Sequence, residues 1–498
     1  MNVNPITRLD YPDPDVIRVE DTYYMVSTTM HFMPGCEILQ SFDLVHWEHV
    51  TYVYETLDHT DAQQLKSGQN IYGQGMWAAS LRYHEGRFYI CFVANDTRKT
   101  YLYTSEKIDG PWKKQLIEGF YHDGSLLFDE DGRNYIVYGN DEIWITELNE
   151  DLTAPKKDGL HRLLVSDHKN PELGYEGSHI QKINGYYYIF LIHSLRDRWM
   201  RTEACFYSDS LEGEFTGGDV LCDDRGYCGQ GVAQGGIVDT PDGKWYAMLF
   251  QDSGAVGRIP ILLPVTWKDH FPFFGQNGHV PEEIEVHSTR PGYIYQPLVG
   301  SDDFCNGLLP RWQFNHDPDP RYYHLDALQG TYTITTREVC TELTQAVNTL
   351  TQRMSYPSCA AEVTVDASAL KEGDVAGLCA LQSCYAAVGI TKHHGKYEVL
   401  MLDKKEDGIL DMTEGAVVES HQMDFRLEAD FCNMKDEARC YYRVNKGDWL
   451  PIGTVHKLYF KLDHFTGCRF GLFCYAAEET GGSACFRDFK YYDVDEIS

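Results

Sequence analysis

The first 250 residues repeat one pattern of polar and apolar positions. An acidic or glycine-containing turn is followed by an aromatic pair and then by an apolar run of strand length. The pattern occurs five times, as EDTYYMVS, EGRFYICF, DGRNYIVY, NGYYYIFL and DGKWYAML. The equivalent tyrosines, 46 to 65 residues apart, are Tyr24, Tyr89, Tyr135, Tyr188 and Tyr246. Each interval has room for about four short strands with their turns.

Several copies continue into a second marker, as in SFDLVHW, SEKIDGPW and SDSLEGEF. A turn, a hairpin and an outer strand, repeated, describe one blade of a propeller. The i, i+3, i+4, i+7 spacing of helices is nearly absent, which disfavours a βαβ sheet or a helical solenoid. The pattern therefore predicts a five-bladed β-propeller over residues 1–290.

The second half of the chain has a different pattern. A segment rich in proline and glycine leads into a connector at about 285–302, and short strands with turn signals follow, among them GTYTITT, CAAEVTVDAS and CRFGLFCYA. Such a series is typical of a β-sandwich, which we predict for residues 303–498. The predicted fold class is all-β, a five-bladed β-propeller followed by a β-sandwich.

Three carboxyl side chains stand at equivalent positions of the repeat. Counting back 12 residues from each of the last four tyrosines, or 11 in the first copy with its shorter turn, gives Asp13, Trp77, Asp123, Glu176 and Gln234. These positions begin the innermost strands, so we expect them to ring one mouth of the channel. The flanking prolines should stiffen the first acid in an extended backbone. The alternative is that the acids cap turns or bind a structural cation.

Composition narrows the function classes. The net charge of -32 works against binding to nucleic acids or anionic membranes, and no uninterrupted apolar stretch reaches the length of about eighteen residues that a bilayer requires. The 15 cysteines are odd in number and lack C-x-x-C pairs, which favours free thiols over disulfides, zinc or redox chemistry. The charge favours partners that are neutral or small. With no apolar leader in MNVNPITRLDYPD, we expect a cytoplasmic protein.

The stretches YPDPDVIRV, HDGSLLFDEDGRNYIVYG and GYEGSHIQKINGYYYIF, with MWAASLRYHEGRFYI and AQGGIVDTPDGKWYAMLFQD, resemble glycoside hydrolase family 43. The resemblance covers the first half of the chain. It implies that Asp13 is the general base, that Asp123 raises the pKa of the acid and orients the sugar, and that Glu176 is the general acid. Inverting hydrolysis requires the acid and the base to stand about 6.5 to 9.5 Å apart. The NDPNG and RDP segments of the retaining fructoside enzymes are not in this sequence.

The resemblance also suggests residues that bind the substrate. Arg258 corresponds to a pocket arginine, with a surface arginine as the alternative, and the loop HFMPGCE brings His31 and Phe32 to the pocket wall unless that loop is only structural. Trp77 either stacks on a sugar or fills its blade. Many relatives have a cation-holding histidine where this chain has Gln234. We therefore predict no required cofactor or metal, and a structural calcium ion lacks support in the sequence.

The expected activity is that of an inverting exo-glycosidase that releases pentoses from short hemicellulose oligosaccharides. An α-L-arabinofuranosidase is favoured, with β-xylosidase as a second or main activity, and the rival from another class is a non-catalytic carbohydrate-binding propeller. The second half resembles the sandwich of xylosidase and arabinofuranosidase members, in which a loop can wall off the pocket. Residues 315–325 are the candidate loop, unless they simply connect strands. A carbohydrate-binding role for the sandwich stays open.

Overall fold

Five antiparallel sheets of four strands each follow one another along the first half of the chain. The computed structural model describes residues 2–493. Strand β1 (Asn2–Val3) precedes blade 1, and β4 (Phe32–Met33) leaves it. The blades consist of β2 (Asp15–Val19), β3 (Thr22–Val26), β5 (Gly35–Ser41) and β6 (Glu48–Tyr54); β7 (Met76–His84), β8 (Arg87–Ala94), β9 (Lys99–Ser105) and β10 (Lys113–Ile117); β11 (Ser125–Phe128), β12 (Asn134–Asn140), β13 (Glu142–Leu148) and β14 (His161–Ser166); β15 (Glu176–Ile183), β16 (Tyr186–Ser194), β17 (Arg201–Ser208) and β18 (Thr216–Leu221); and β19 (Val232–Asp239), β20 (Trp245–Asp252), β21 (Arg258–Lys268) and β22 (Phe271–Phe274).

The repeated sequence phrase forms the hairpin between the first and second strands of each blade. In blade 2 the pair His84 and Arg87 flanks a two-residue turn, Glu85 and Gly86, with φ of 48° and 78°. Blade 4 has the same arrangement at 184–185. Two-residue turns with both φ values positive match the twist of antiparallel strands and favour glycine and asparagine. The local turn chemistry therefore sets the register of the blades.

The propeller closes where blade 5 meets blade 1. The innermost strands β2 and β19 lie side by side, and β1 pairs with β23 (Glu283–Ile284). The buried Asn4 side chain donates to the carbonyl of Leu262 at 2.7 Å and accepts from its amide at 3.0 Å. The N-terminal segment is thus fastened to the last blade by paired hydrogen bonds.

Two large sheets form the second half, and the strand β4 of the propeller region joins one of them. Phe32 and Met33 pair with Asn315 and Phe314, so the two halves share a sheet edge. The orders are β32-β31-β30-β29-β36-β27-β24-β4 and β25-β26-β37-β28-β33-β34-β35. The strands are β24 (Gln313–Asn315), β25 (Tyr323–Asp326), β26 (Thr331–Thr335), β27 (Leu350–Arg353), β28 (Ser358–Asp366), β29 (Asp374–Leu381), β30 (Ala386–His393), β31 (Lys396–Lys404), β32 (Leu410–Val418), β33 (Gln422–Asp430), β34 (Glu437–Val444), β35 (Leu450–Lys457), β36 (Arg469–Ala476) and β37 (Ser483–Asp493).

The predicted fold class, a five-bladed propeller followed by a sandwich, is confirmed. Within residues 2–493 the helices are short 3-10 turns, at Lys66–Gly68, Gly254–Val256, Leu343–Gln345 and Cys432–Met434. None of the helices in this range has the length and apolarity needed to span a bilayer. The last propeller strand, β22, ends at Phe274, and the first strand of the sandwich region, β24, begins at Gln313.

Candidate active site

The innermost strands begin with a left-handed backbone at one end of the channel. Asp13, Asp123 and Gln234 have φ of 53°, 47° and 57°, and in blades 2 and 4 the next residue, Ala78 or Gly177, has φ of 29° or 64°. Aspartate tolerates this region better than bulky residues do. The extended backbone expected for Asp13 from its flanking prolines is therefore not what the structure has. Side-chain partners hold this conformation instead.

Asp13 is buried between a cation and a hydroxyl group. Nη1 of Arg258 donates to Oδ1 at 2.9 Å, and Oγ1 of Thr28 donates to Oδ2 at 2.6 Å. Arg258 is only 3% exposed, which excludes the alternative of a surface arginine. Both carboxylate oxygens have a donor, so the carboxyl of Asp13 is held in one orientation.

Asp123 and Glu176 lie around one imidazole. Nε2 of His122 is 3.5 Å from Oδ2 of Asp123 and 3.4 Å from Oε2 of Glu176. The amide of Gly177 donates to Oδ2 of Asp123 at 3.0 Å, and Nδ2 of Asn140 donates to Oε2 of Glu176 at 2.8 Å. Sequence reasoning missed both His122 and Asn140. The signal for the histidine was its place directly before Asp123 in YHDGS.

The charges of this group shift one another's protonation. Burial raises the pKa of Asp123 to about 6; His122 opposes the rise, and the charges of Glu176 and Asp13 add to it. The Asp123 carboxylate is the main reason that the pKa of His122 rises to about 9, with further contributions from Glu176 and Asp13, against the effect of burial. Because Asp13 acts on both groups, the three predicted acids share one site. Their catalytic roles stay predictions.

Two aromatic rings border the acids. The ring of Trp77 lies 6.3 Å from that of His122 and 5.4 Å from that of Phe465, between centroids. The guanidinium of Arg258 lies 4.3 Å from the centroid of the Phe465 ring. Phe465 belongs to the connection between β35 and β36, so the sandwich contributes a ring beside the acids. Trp77 faces this group, where it can meet a sugar.

The loop expected to wall off the pocket packs elsewhere. Nδ2 of Asn315 donates to the hydroxyl of Tyr72 at 2.7 Å, and the ring of His316 lies 4.6 Å from the Tyr72 ring. These contacts attach residues 315–316 to the propeller at the domain interface. The sandwich residue that reaches Arg258 is Phe465, about 150 residues later in the chain, and no repeat or motif marked it.

His31 and Phe32 lie between the two domains with no exposed surface. The His31 ring is 4.8 Å from that of His316 and 5.1 Å from that of His464, and the guanidinium of Arg469 lies 3.5 Å from the Phe32 centroid. Because β4 pairs with the sandwich, this loop is directed into the interface. The structure therefore differs from the expectation that both residues line the substrate pocket.

Gln234 belongs to the mouth positions but is buried. A Cβ atom added to Gly177 would meet the Gln234 side chain at 2.7 Å, so the amide packs against the backbone beside Glu176. The backbone amide of Gln234 donates to Glu203 at 2.7 Å. Burial raises the pKa of Glu203 well above its usual range, which favours a neutral carboxyl there. Gln234 therefore supports the acid's backbone, and contact with a substrate stays a prediction.

The donor atoms of His122, Asp123 and Glu176 lie within 4.8 Å of one another, close enough to share a cation or a proton. The carboxyls around the ring, that of Asp123 first, raise the pKa of His122 to about 9 and favour the protonated imidazole when no cation is bound. That the site requires no metal stays a prediction.

A second network separates this mouth from the other end of the channel. Asp15, fully buried, accepts from Nη1 of Arg82 at 2.8 Å and lies 3.1 Å from Nδ1 of His179. The cavity of about 410 Å³ at the far end is lined by Arg18, Arg82 and residues of all five innermost strands. It contains none of the three acids.

A five-bladed propeller with three acids at one mouth defines the class of a glycoside hydrolase. The chain belongs to glycosyl hydrolases family 43, whose sequence profile matches residues 3–272. The profile of the beta xylosidase C-terminal Concanavalin A-like domain matches residues 301–492. Both matches confirm the resemblance drawn from the sequence, including the sandwich.

Relatives named as a beta-xylosidase and as an alpha-L-arabinofuranosidase match 99% and 82% of this chain. A beta-xylosidase of Formosa agariphila is 26% identical over 99% of this chain and 89% of its own length. A non-reducing end alpha-L-arabinofuranosidase of Bacteroides ovatus is 24% identical over 82% of this chain and 79% of its own.

Solved structures match the whole length of this chain or nearly so. A bifunctional GH43-CE protein of Bacteroides eggerthii is 42% identical with a TM-score of 0.93; it covers all of this chain, which spans 64% of that protein. A family 43 enzyme engineered to display endo-xylanase and exo-arabinofuranosidase activity is 28% identical, with a TM-score of 0.87 and 99% of both chains covered.

Proposed function

We propose that this protein is an inverting, exo-acting pentosidase for short hemicellulose oligosaccharides, an α-L-arabinofuranosidase first and a β-xylosidase second. The observation that carries the proposal is the convergence of three carboxyls with different partners. Asp13 has a cation and a hydroxyl as donors, Glu176 has neighbours that orient it, and Asp123 is buried beside both.

Each of the three acids has its own role in the proposed reaction. Asp13 takes a proton from a water molecule as the oxygen of that water attacks the anomeric carbon from the face opposite the leaving group. Glu176 gives its proton to the glycosidic oxygen as the carbon–oxygen bond breaks. Asp123 holds negative charge near the developing oxocarbenium ion and orients the sugar. One water is consumed, and the sugar leaves with inverted configuration.

Exo action is supported by the aromatic border. Phe465 and Trp77 stand together beside Arg258 and the acids, and in this proposal the two rings close the substrate site to a continuing polymer. A terminal or branching pentose fits such a cavity better than the middle of a chain does. The cytoplasmic location and the lack of a required cofactor stay predictions.

One assay with two substrates tests both class and preference. Purified protein is offered nitrophenyl α-L-arabinofuranoside and nitrophenyl β-D-xyloside, and the configuration of the released sugar is followed by NMR at early times. We expect faster release from the arabinofuranoside and an inverted first product. Faster xyloside release would make β-xylosidase the main activity. Cleavage of neither substrate would refute the pentosidase proposal, and retention would refute the roles given to the acids.

Glu176→Gln distinguishes an enzyme from a carbohydrate-binding propeller. The amide keeps the size and cannot supply a proton, so we expect kcat on an arabinoxylan oligosaccharide, whose leaving group needs protonation, to fall by about 10²- to 10⁴-fold. Binding of that oligosaccharide, measured by calorimetry, should persist. Glu212→Gln, an exposed position on blade 4, is the matched control and should leave kcat unchanged. Equal turnover in the two variants would remove Glu176 from the reaction.

A further inference from the structure

One oxygen of the Glu176 carboxyl receives two donors. Nδ2 of Asn140 lies 2.8 Å from Oε2, and Nε2 of His122 lies 3.4 Å from the same atom. Among the described residues, every hydrogen bond to this carboxyl ends on Oε2. His122 is itself flanked by carboxylates of Asp123 and Asp13, which favour its protonated, donating form.

We propose that His122 and Asn140 are positioning residues that clamp Oε2, so that the proton donated in catalysis is carried by Oε1, and that the charge of His122 sets the pH range of the reaction. The proposal rests on the proposed function, in which Glu176 is the general acid.

The number of lone pairs on each carboxyl oxygen places the transferred proton on Oε1. A carboxyl oxygen has two acceptor sites, and both sites of Oε2 are directed at N–H donors. A proton on Oε2 would point at one of these donors and displace it. The hydroxyl of the protonated acid is therefore on Oε1. During hydrolysis that proton moves to the glycosidic oxygen as the bond to the anomeric carbon breaks, which requires this oxygen within about 2.6 to 3.2 Å of Oε1.

The charge of His122 acts on the groups around it. These are the carboxyls of Asp123, Glu176 and Asp13, the last of which is paired with Arg258, and the ring of Trp77. The His122 side chain is 20% exposed, so solvent screens it only partly. The charge of His122 lowers the pKa of Asp123 against the effect of burial. Its removal should raise that pKa, so the acidic limb of the pH–activity profile should move to higher pH.

Two variants of His122 separate its hydrogen bond from its charge. His122→Gln keeps an N–H donor without the charge, whereas His122→Phe removes both. We expect both variants to move the acidic limb of the kcat/KM profile to higher pH by about 1 unit. Of these two variants, only His122→Phe should become sensitive to the leaving group. Its activity on an oligosaccharide should fall by about 10- to 100-fold, while an aryl glycoside with a strongly acidic phenol, which departs without protonation, loses much less.

Asn140→Ala tests the second donor and should reproduce the leaving-group sensitivity without moving the profile. His161→Gln, an exposed histidine on the same blade, is the control and should change neither. Should His122→Phe fail to fold, the other two variants decide the result.

An unchanged profile in His122→Gln would overturn the role of the charge. Equal losses on both leaving groups in Asn140→Ala would overturn the clamp. A wild-type protein without activity on either pentoside would instead refute the proposed function, so the two failures are distinguishable.

Discussion

Single residues in this site are held by partners that come from distant parts of the chain. Asp13 meets Arg258 from the start of β21, about 245 residues later. The guanidinium is buried against Phe465 and Phe250, and its Nε and Nη2 atoms have no hydrogen-bond partner among the described residues. A buried cation with unused donors beside the base is suited to bind sugar hydroxyls as well as the carboxylate.

Replacement of this arginine should disturb the base. In Arg258→Met the side chain keeps much of its volume, but Asp13 loses the cation that pairs with it. We expect kcat/KM to fall by about 10²-fold, because the carboxyl is no longer held in place. We also expect the free energy of unfolding to fall by about 3 to 5 kcal/mol, because one partner of a buried ion pair is removed. Urea unfolding and kcat/KM on the better pentoside measure the two effects.

The matched control is Arg133→Met, at an exposed hairpin of blade 3 where the arginine pairs with Asp131. Loss of that surface pair should change stability by no more than about 1 kcal/mol. An unchanged kcat/KM in Arg258→Met would show that Asp13 does not need this arginine to stay in place.

At the scale of the strand, a bulge lies at the start of the innermost strand in three blades. The register shifts after Trp77, Glu176 and Ala233 in blades 2, 4 and 5. A bulge bends the strand and re-aims a side chain, and it is frequent beside active sites. Of the three acids, Glu176 is the one that stands at such a bulge, whereas the innermost pairs of blades 1 and 3 keep a regular register.

A substitution at Gly177 tests whether the bulge of blade 4 places Glu176. The φ of 64° at Gly177 and its contact with Gln234 both oppose a side chain there. Gly177→Ala should destabilise the fold by more than the roughly 1 to 2 kcal/mol of a left-handed alanine, since the added Cβ also clashes. It should lower kcat by displacing Glu176. Thermal unfolding and kcat on the better pentoside measure both losses.

Gly185→Ala, in the hairpin of the same blade with φ of 85° and open space around it, is the control. It should show only the conformational loss and keep kcat. Equal effects in both alanine variants would mean that the bulge has no steric part in placing the acid.

Much of the structure at the scale of the strand was predictable from the sequence. The turn chemistry of EGRF and NGYY set the hairpins, and the fixed distance from each hairpin to the mouth selected Asp13, Asp123 and Glu176. The left-handed backbone of Asp13 was not predictable, because its proline neighbours favour extended geometry. Contacts with Thr28 and Arg258 override that local preference.

At the scale of the whole molecule, the two domains meet through a cluster of neutral histidines. His31, His316 and His464 pack around Tyr72 without exposed surface on the histidines. Burial lowers the pKa of His464 to about 3, with Arg469 adding to the effect, and lowers the pKa values of the other two well below the usual range. Nε2 of His316 accepts from the amide of Ile71 at 3.0 Å, which also requires a neutral ring.

This cluster should make the protein sensitive to acid. These histidines have lower pKa values in the folded state than the 6.5 of the unfolded chain. Their contribution to stability is therefore complete above pH 6.5 and is lost as the pH falls toward 3. At pH 5 each histidine that stays neutral should lower the free energy of unfolding by about 2 kcal/mol. Urea unfolding at pH 7.5 and pH 5 measures the difference.

His31→Phe removes one titrating ring from an aromatic environment. It should reduce the difference in the free energy of unfolding between pH 7.5 and pH 5. The exposed His324→Phe is the control and should leave it unchanged. If His31→Phe loses as much stability on acidification as the wild type, the acid sensitivity arises outside the interface.

The sequence by itself determined the number of blades, the sandwich that follows and the three acids, because turn propensity and strand alternation are local and recur at a fixed spacing. Only the tertiary structure decided that His122 and Asn140 join Glu176, that Phe465 borders the site, and that His31 and Phe32 belong to the interface. Those outcomes depend on burial, on opposing charges and on which distant segments pack together, and no local pattern in one sequence specifies such contacts.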